Sequence, residues 1–141
     1  MAVLSDAATA QRVGSQMKRL ARAIYSNPPA YGARIARDVI SDPAMFAKWK
    51  VEMADMAGRI ASVRQRLYEC LVEKMPERDW GYVTQQIGMF SFTGLSEKQV
   101  ENMTEKWHVY MTKDGRISLA GLNLAKCEYL ADAIVDSFKH H

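Results

Sequence analysis

Cysteine and histidine are scarce: Cys70 and Cys127, with His108, His140 and His141, are all that 141 residues contain. The two cysteines lie far apart with no C-x-x-C, and no histidine has a second ligand at metal spacing, so no metal site is expected. Each cysteine sits among apolar neighbours in a helical pattern and reads as a small buried hydrophobe. Long apolar runs are missing too, and none approaches the ~20 residues of a membrane span. The opening MAVLSDAATAQ lacks a basic stretch and has a short apolar one, so neither a signal nor a transit peptide is expected and the chain reads as intracellular and soluble. Nor is either charge in excess. Lys plus Arg is 19 against 16 for Asp plus Glu, and a net +3 is too little to imply nucleic acid or an anionic membrane as partner. The patterns G-x-S-x-G, G-x-x-x-x-G-K-[ST] and G-x-G-x-x-G do not occur, which removes the nucleophile elbow and the phosphate-cradling loop.

What is present is an ordinary globular balance, 48% hydrophobic and 25% charged. A domain of this size buries about 68–70% of the surface its unfolded chain exposes, so a core needs no disulfides. Ser5 and Asp6 are good N-cap types, and Val13, Met17, Leu20 and Ile24 recur at helical spacing after them. Ser26-Asn27-Pro28-Pro29 then stops that helix, because proline lacks the donor and restricts the residue before it. A short helix through Arg34, Val39 and Ile40 follows. Asp42-Pro43 reads as an N-cap with proline at the first helical position.

From Pro43 to Pro76 the apolar residues Phe46, Trp49, Met53, Met56, Ile60, Val63, Leu67 and Leu71 recur at spacings of three and four. Such a helix would be roughly 45 Å long at 1.5 Å per residue, longer than a small domain is wide. Its narrow stripe fits either a coiled-coil partner or a helix lying across two structural units. On its wet side Asp55 and Arg59 are spaced as an i,i+4 ion pair.

The second half is richer in β-forming residues. Tyr82–Thr84 and Met89–Phe92 read as strands broken by Gly88. Ser96 with Gln99 is a capping box, opening a helix whose face carries Val100, Met103 and Trp107. Val109–Thr112, the turn Lys113-Asp114-Gly115 and Arg116–Leu119 read as a hairpin. Asn123 is placed to cap a last helix carrying Leu130, Ala133, Ile134 and Phe138. Helices first, then strands and helices mixed, give the class α+β.

Two arginines stand where an anion clamp could be built: Arg116, starting a strand after a tight turn, and Arg22, in the last turn of a helix before a proline-stiffened loop. A guanidinium fork suits a carboxylate and a stiff backbone would fix its aim, although either could equally be a solvated or ion-paired arginine. The segments YSNPPAYGARI (25–35), QIGMFSFTGL (86–95) and YMTKDGRISLAGL (110–122) resemble the C-terminal third of the aspartate aminotransferase family, fold-type I enzymes that use pyridoxal phosphate. The likeness runs from about Ser15 to Phe138.

That resemblance implies the small-domain portion of a fold-type I aminotransferase, with a long linking helix, a hairpin and flanking helices. Residues 1–42 would belong to the family's large domain and dimer interface, 43–76 would form the linking helix, and 77–141 the small domain. By similarity Arg116 would grip the substrate α-carboxylate, and Arg22 would reach across a homodimer to the side-chain carboxylate of aspartate or glutamate. Phe90 would stand at the pocket mouth, and Ser26 and Asn27 near the partner subunit's site. The family's cofactor lysine, the acid at the pyridinium nitrogen and the phosphate cradle correspond to sequence upstream of this chain. The resemblance therefore implies no catalytic or cofactor-binding residue here, no pyridoxal phosphate bound by this chain alone and no transamination by it alone. The inherited function would be amino-group transfer between L-aspartate and 2-oxoglutarate. Expected partners are dicarboxylic amino and keto acids and a second subunit, with no nucleic acid and no membrane. A non-catalytic alternative is an interaction or regulatory module that joins full-length subunits and lends Arg22 in trans. The compartment, cytoplasm or plastid, is left open.

Overall fold

The computed structural model describes residues 5–140, and Met1–Leu4 of the opening segment lie outside them. The chain divides into two compact units, one through Trp49 and one from Lys50 onward.

The first unit is helical. Helix α1 (Ala7–Ile24) starts on Asp6, whose carboxylate accepts from Thr9 N at 2.7 Å and Thr9 Oγ1 at 2.8 Å. It stops as the prolines require, with Ser26 in the left-handed region at φ 61°. Helix α2 (Tyr31–Ser41) follows. No residue of α1 or α2 is buried, and Met17, Leu20, Ile24, Tyr31, Ile35 and Ile40 are all exposed. Helix α3 (Pro43–Lys74) begins where Asp42-Pro43 places it, with Asp42 Oδ1 accepting from Ala44 N at 2.8 Å and Met45 N at 2.9 Å.

The apolar stripe of α3 is regular in sequence and divided in burial. Met53 and Met56 are exposed, whereas Val63, Leu67, Cys70 and Leu71 are buried in the core of the second unit. Facing them are Leu130, Ala131, Ala133 and Ile134 of α6 (Cys127–His140), with Trp80, Val83, Val100, Met103 and Leu119 filling the rest. Both cysteines are buried and unbonded to each other.

Four local expectations are corrected. Tyr82–Thr84 is not a strand: it lies in the single-turn helix α4 (Tyr82–Gln85), drawn in by Val83 entering the core and by Asp79 Oδ1 accepting from Gly81 N at 2.8 Å. Val109–Thr112 is not the partner of Arg116–Leu119. The turn between them forms, with Gly115 N donating to Thr112 O at 2.9 Å, but β2 (Arg116–Ser118) pairs antiparallel with β1 (Phe90–Phe92) instead. Gly115 makes this possible: its φ is +85°, and a Cβ there would lie 3.0 Å from Leu95 O. Helix α5 (Glu97–Glu105), capped by the Ser96–Gln99 box, ends before Trp107, whose ring packs edge-on against Tyr129. Arg59 is not paired with Asp55 and donates instead to Ala120 O at 3.0 Å and Leu122 O at 3.3 Å. Asn123 caps a short 3₁₀ turn (Leu124–Lys126) that leads into α6. The class remains α+β, helix-rich with one two-stranded sheet among the described residues.

Helices α5 and α6 are joined by Asp136. Its carboxylate accepts from Lys106 Nζ at 2.8 Å, Trp107 Nε1 at 2.8 Å and Asn102 Nδ2 at 3.0 Å. The Lys106 ammonium first, then Asn102 and Trp107, hold this carboxyl well below the usual carboxylate range. Protons therefore bind the unfolded chain first, at a pKa of about 3.9, so the stabilisation is whole above about pH 4 and fades as pH falls below it. Chemical denaturation of Asp136→Asn should show a flatter pH dependence between about pH 4 and 2 than the parent. Asp136→Ala, which strands several donors, should lose on the order of 2–3 kcal/mol at pH 7.

Candidate functional site

Strand alternation builds the site. In the register Phe90 with Ser118, Ser91 with Ile117 and Phe92 with Arg116, side chains two apart share a face. Ser91 and Ile117 turn inward, while Phe90, Phe92, Arg116 and Ser118 face outward. Arg116 and Phe90 are diagonal neighbours on that outer face, and the Arg116 guanidinium carbon stands 5.2 Å from the Phe90 ring centroid. Phe90 is 49% exposed.

Among the described residues the Arg116 side chain has no hydrogen bond and no ion pair. Asp114, the nearest acid in sequence, is occupied elsewhere. Its carboxylate accepts from Thr112 Oγ1 and from Arg116 N at 3.3 Å, and the Thr112 hydroxyl first, then the Arg116 amide, hold it below the usual range. A cation laid on an aromatic face with its fork unoccupied is suited to receive a carboxylate.

Two side chains hold β1 along the edge that β2 leaves open. Gln86 takes the strand's outer edge, its Oε1 accepting from Phe92 N at 2.8 Å and its Nε2 donating to Phe92 O at 3.1 Å. Arg64, on α3, is 4% exposed and donates to Val83 O at 2.7 Å, Gly88 O at 3.0 Å and Phe90 O at 2.6 Å. Burial lowers the pKa of Arg64, yet a guanidinium in a protein stays charged. The pattern reading missed Arg64, although a signal exists: it lies four residues after Ile60 and three before Leu67, a cation within the apolar stripe.

Arg22 is exposed in the last turn of α1, where a cation also faces the negative end of the helix dipole. Ser26 and Asn27 follow in the bend after it, Ser26 carrying a backbone conformation unusual for a residue with a Cβ. Phe90 and Arg116 are thus brought together by the sheet, whereas Arg22, Ser26 and Asn27 belong to the other unit.

A cofactor lysine needs an amine that releases its proton readily. Lys74, Lys106 and Lys113 are instead ion-paired, with Asp132 at 2.7 Å, Asp136 at 2.8 Å and Glu97 at 2.6 Å. The Asp132 and Glu97 carboxylates push Lys74 and Lys113 up. These lysines do not fit pyridoxal phosphate. Among the described residues no His, Cys, Asp and Glu cluster could hold a metal ion, and no helix is long and apolar enough to cross a membrane.

Residues 2–134 match the family model described as aminotransferase class I and II. The chain is 64% identical over 137 residues to the chloroplastic aspartate aminotransferase of Arabidopsis thaliana, covering 96% of this chain and 30% of that protein. Among solved structures, a mitochondrial aspartate aminotransferase from Trypanosoma brucei superposes with a TM-score of 0.82 at 40% identity, over 94% of this chain and 35% of that one. An aromatic-amino-acid aminotransferase from Burkholderia pseudomallei, covalently bound to pyridoxal phosphate, gives a TM-score of 0.83 at 37% identity over 96% and 34%. The chain thus spans about a third of the length of the proteins it matches, and relatives carry chloroplastic, mitochondrial and cytoplasmic names. With its family model covering nearly every residue and its outer sheet face built from the matched segments, the chain belongs to the class I and II aminotransferases.

Proposed function

We propose that this chain is the carboxylate-gripping part of an aspartate aminotransferase, acting in amino-group transfer between L-aspartate and 2-oxoglutarate when the remainder of such an enzyme is supplied. The observation that carries this is the unoccupied guanidinium of Arg116, stacked on Phe90 at the outer face of the sheet. Arg116 grips the substrate α-carboxylate through two parallel N–H···O bonds, and the Phe90 ring closes one side of the place where that carboxylate lies. Arg22 grips the second carboxylate in a partner subunit's site, with Ser26 and Asn27 beside it. Two cations aimed at two carboxylates give dicarboxylate selectivity, because a substrate lacking one carboxylate leaves a desolvated charge unpaired.

In this reading residues 1–42 pack on the large domain and the dimer partner, 43–76 link the domains and 77–141 form the small domain. The uncovered apolar residues of α1 and α2 support that assignment. Pyridoxal phosphate, bound by the rest of such an enzyme, supplies the electron sink. This chain's residues bind and orient the substrate and move no proton, so the chain alone does not transaminate. Partners are dicarboxylic amino and keto acids and a second subunit, either another copy or a full-length relative.

Two measurements test this. With pyridoxal phosphate added, the purified chain should show no protein-bound visible absorption band that aspartate alters; such a band would mean that a lysine here has taken the cofactor role. In a chimera where this chain replaces the matched 137 residues of the Arabidopsis thaliana relative, Arg116→Ala should lower kcat/KM for aspartate by at least ~30-fold, the low end of about 2–5 kcal/mol for stranding one member of a buried charge pair. Arg22→Asp should weaken aspartate and spare alanine. Equal losses for both substrates would remove Arg22 from the site.

A further inference from the structure

We propose that Arg64 is a positioning residue for the carboxylate grip, fixing Phe90 under Arg116 from the open edge of β1; this rests on the reading of Arg116 given above. Arg64 is buried at 4% exposure and, among the described residues, meets no carboxylate. Its donors go to neutral backbone carbonyls in three places: Val83 in α4, Gly88 in the bend before the strand, and Phe90 in β1. Nη2 alone bridges Gly88 O at 3.0 Å and Phe90 O at 2.6 Å. Gly88 has φ +85°, so the chain bends there in a conformation that side chains resist, and the bend has one of its carbonyls held by Arg64.

The Phe90 carbonyl is therefore tied to the buried half of α3, and its ring, on the outward side of the same residue, is presented to Arg116 at 5.2 Å. A lysine could not replace the fork. Its ammonium is a point charge on a flexible stem, without the rigid two-nitrogen fork that reaches the three carbonyls. An isolated cation placed in the core merely for packing would be disfavoured against an apolar residue of similar volume. Its presence there with three acceptors and an unpartnered Nε is accounted for by the placement of β1.

The test uses the 141-residue chain in solution. Arg116 side-chain resonances carry a ring-current shift from Phe90, and Phe90→Leu sets its zero. Arg64→Met should move them at least halfway to that zero and weaken succinate binding, measured by titration calorimetry, by about tenfold, equivalent to ~1.4 kcal/mol. The Trp107 Nε1–H resonance, bonded to Asp136, should stay in place, showing that the α5–α6 packing is intact. Arg64→Lys should follow Arg64→Met, whereas a structural role needing only positive charge would let lysine rescue it. Unmoved Arg116 resonances in a folded Arg64→Met chain overturn the proposal. If neither variant folds, the unsubstituted chain decides: slowly exchanging Arg64 Nη protons with cross-peaks to Gly88 and Phe90 support it, and fast-exchanging ones overturn it. Succinate binding unchanged by Arg116→Ala would instead sink the carboxylate grip and leave Arg64 to be judged by the ring-current shift.

Discussion

A guanidinium taken out of water keeps its charge and must find acceptors, and the sheet of this protein is arranged around the three that Arg64 finds. Val83, Gly88 and Phe90 belong to consecutive pieces of chain that have little regular structure of their own: a one-turn helix, a glycine bend and a three-residue strand. None would hold its place by local propensity. Each gives a carbonyl to the same side chain, and that side chain springs from the rigid, buried half of α3. Gln86 completes the restraint by pairing with both polar groups of Phe92 along the open edge of β1.

From that constraint the outer face follows. Once β1 is placed, the ladder to β2 sets the register, and strand alternation sends Ser91 and Ile117 inward and Phe90 and Arg116 outward. The acid two residues before Arg116 is turned back into its own turn, where the Thr112 hydroxyl and the Arg116 amide occupy it. The guanidinium is left with an aromatic face beneath it and, among the described residues, no counter-ion in contact. Electrostatically this is an open cation, suited to receive an anion.

Legibility in the sequence followed the range of the interactions. Asp6, Asp42-Pro43, Ser96 with Gln99 and Asn123 act on backbone within three or four residues, and all four cap as their residue types require. The break at Pro28-Pro29 is equally local. Tyr82–Gln85 misled because its aromatic and β-branched residues match the pattern of a strand, while Val83 reaches the core from a helical turn. The partner of Arg116–Ser118 misled because the adjacent turn invites a hairpin, and the true partner lies more than twenty residues away. Arg64 was overlooked because one charge in a long amphipathic stripe reads as a solvated residue until the carbonyls that surround it are known.

The residue types and their order alone determined the longer helices, their N-caps, the class α+β and the segments that carry the family likeness, since each depends on neighbours a few residues apart. Arg116 and Arg22 were visible as candidates for the same reason. Tertiary structure alone decided that β2 lies on β1, that Phe90 sits under Arg116 and is exposed rather than buried, that only the second half of the α3 stripe meets a core, and that Arg64 is inside. Those outcomes depend on burial and on hydrogen bonds between distant segments, and no periodicity along one strand or helix encodes which distant carbonyl a buried cation will find.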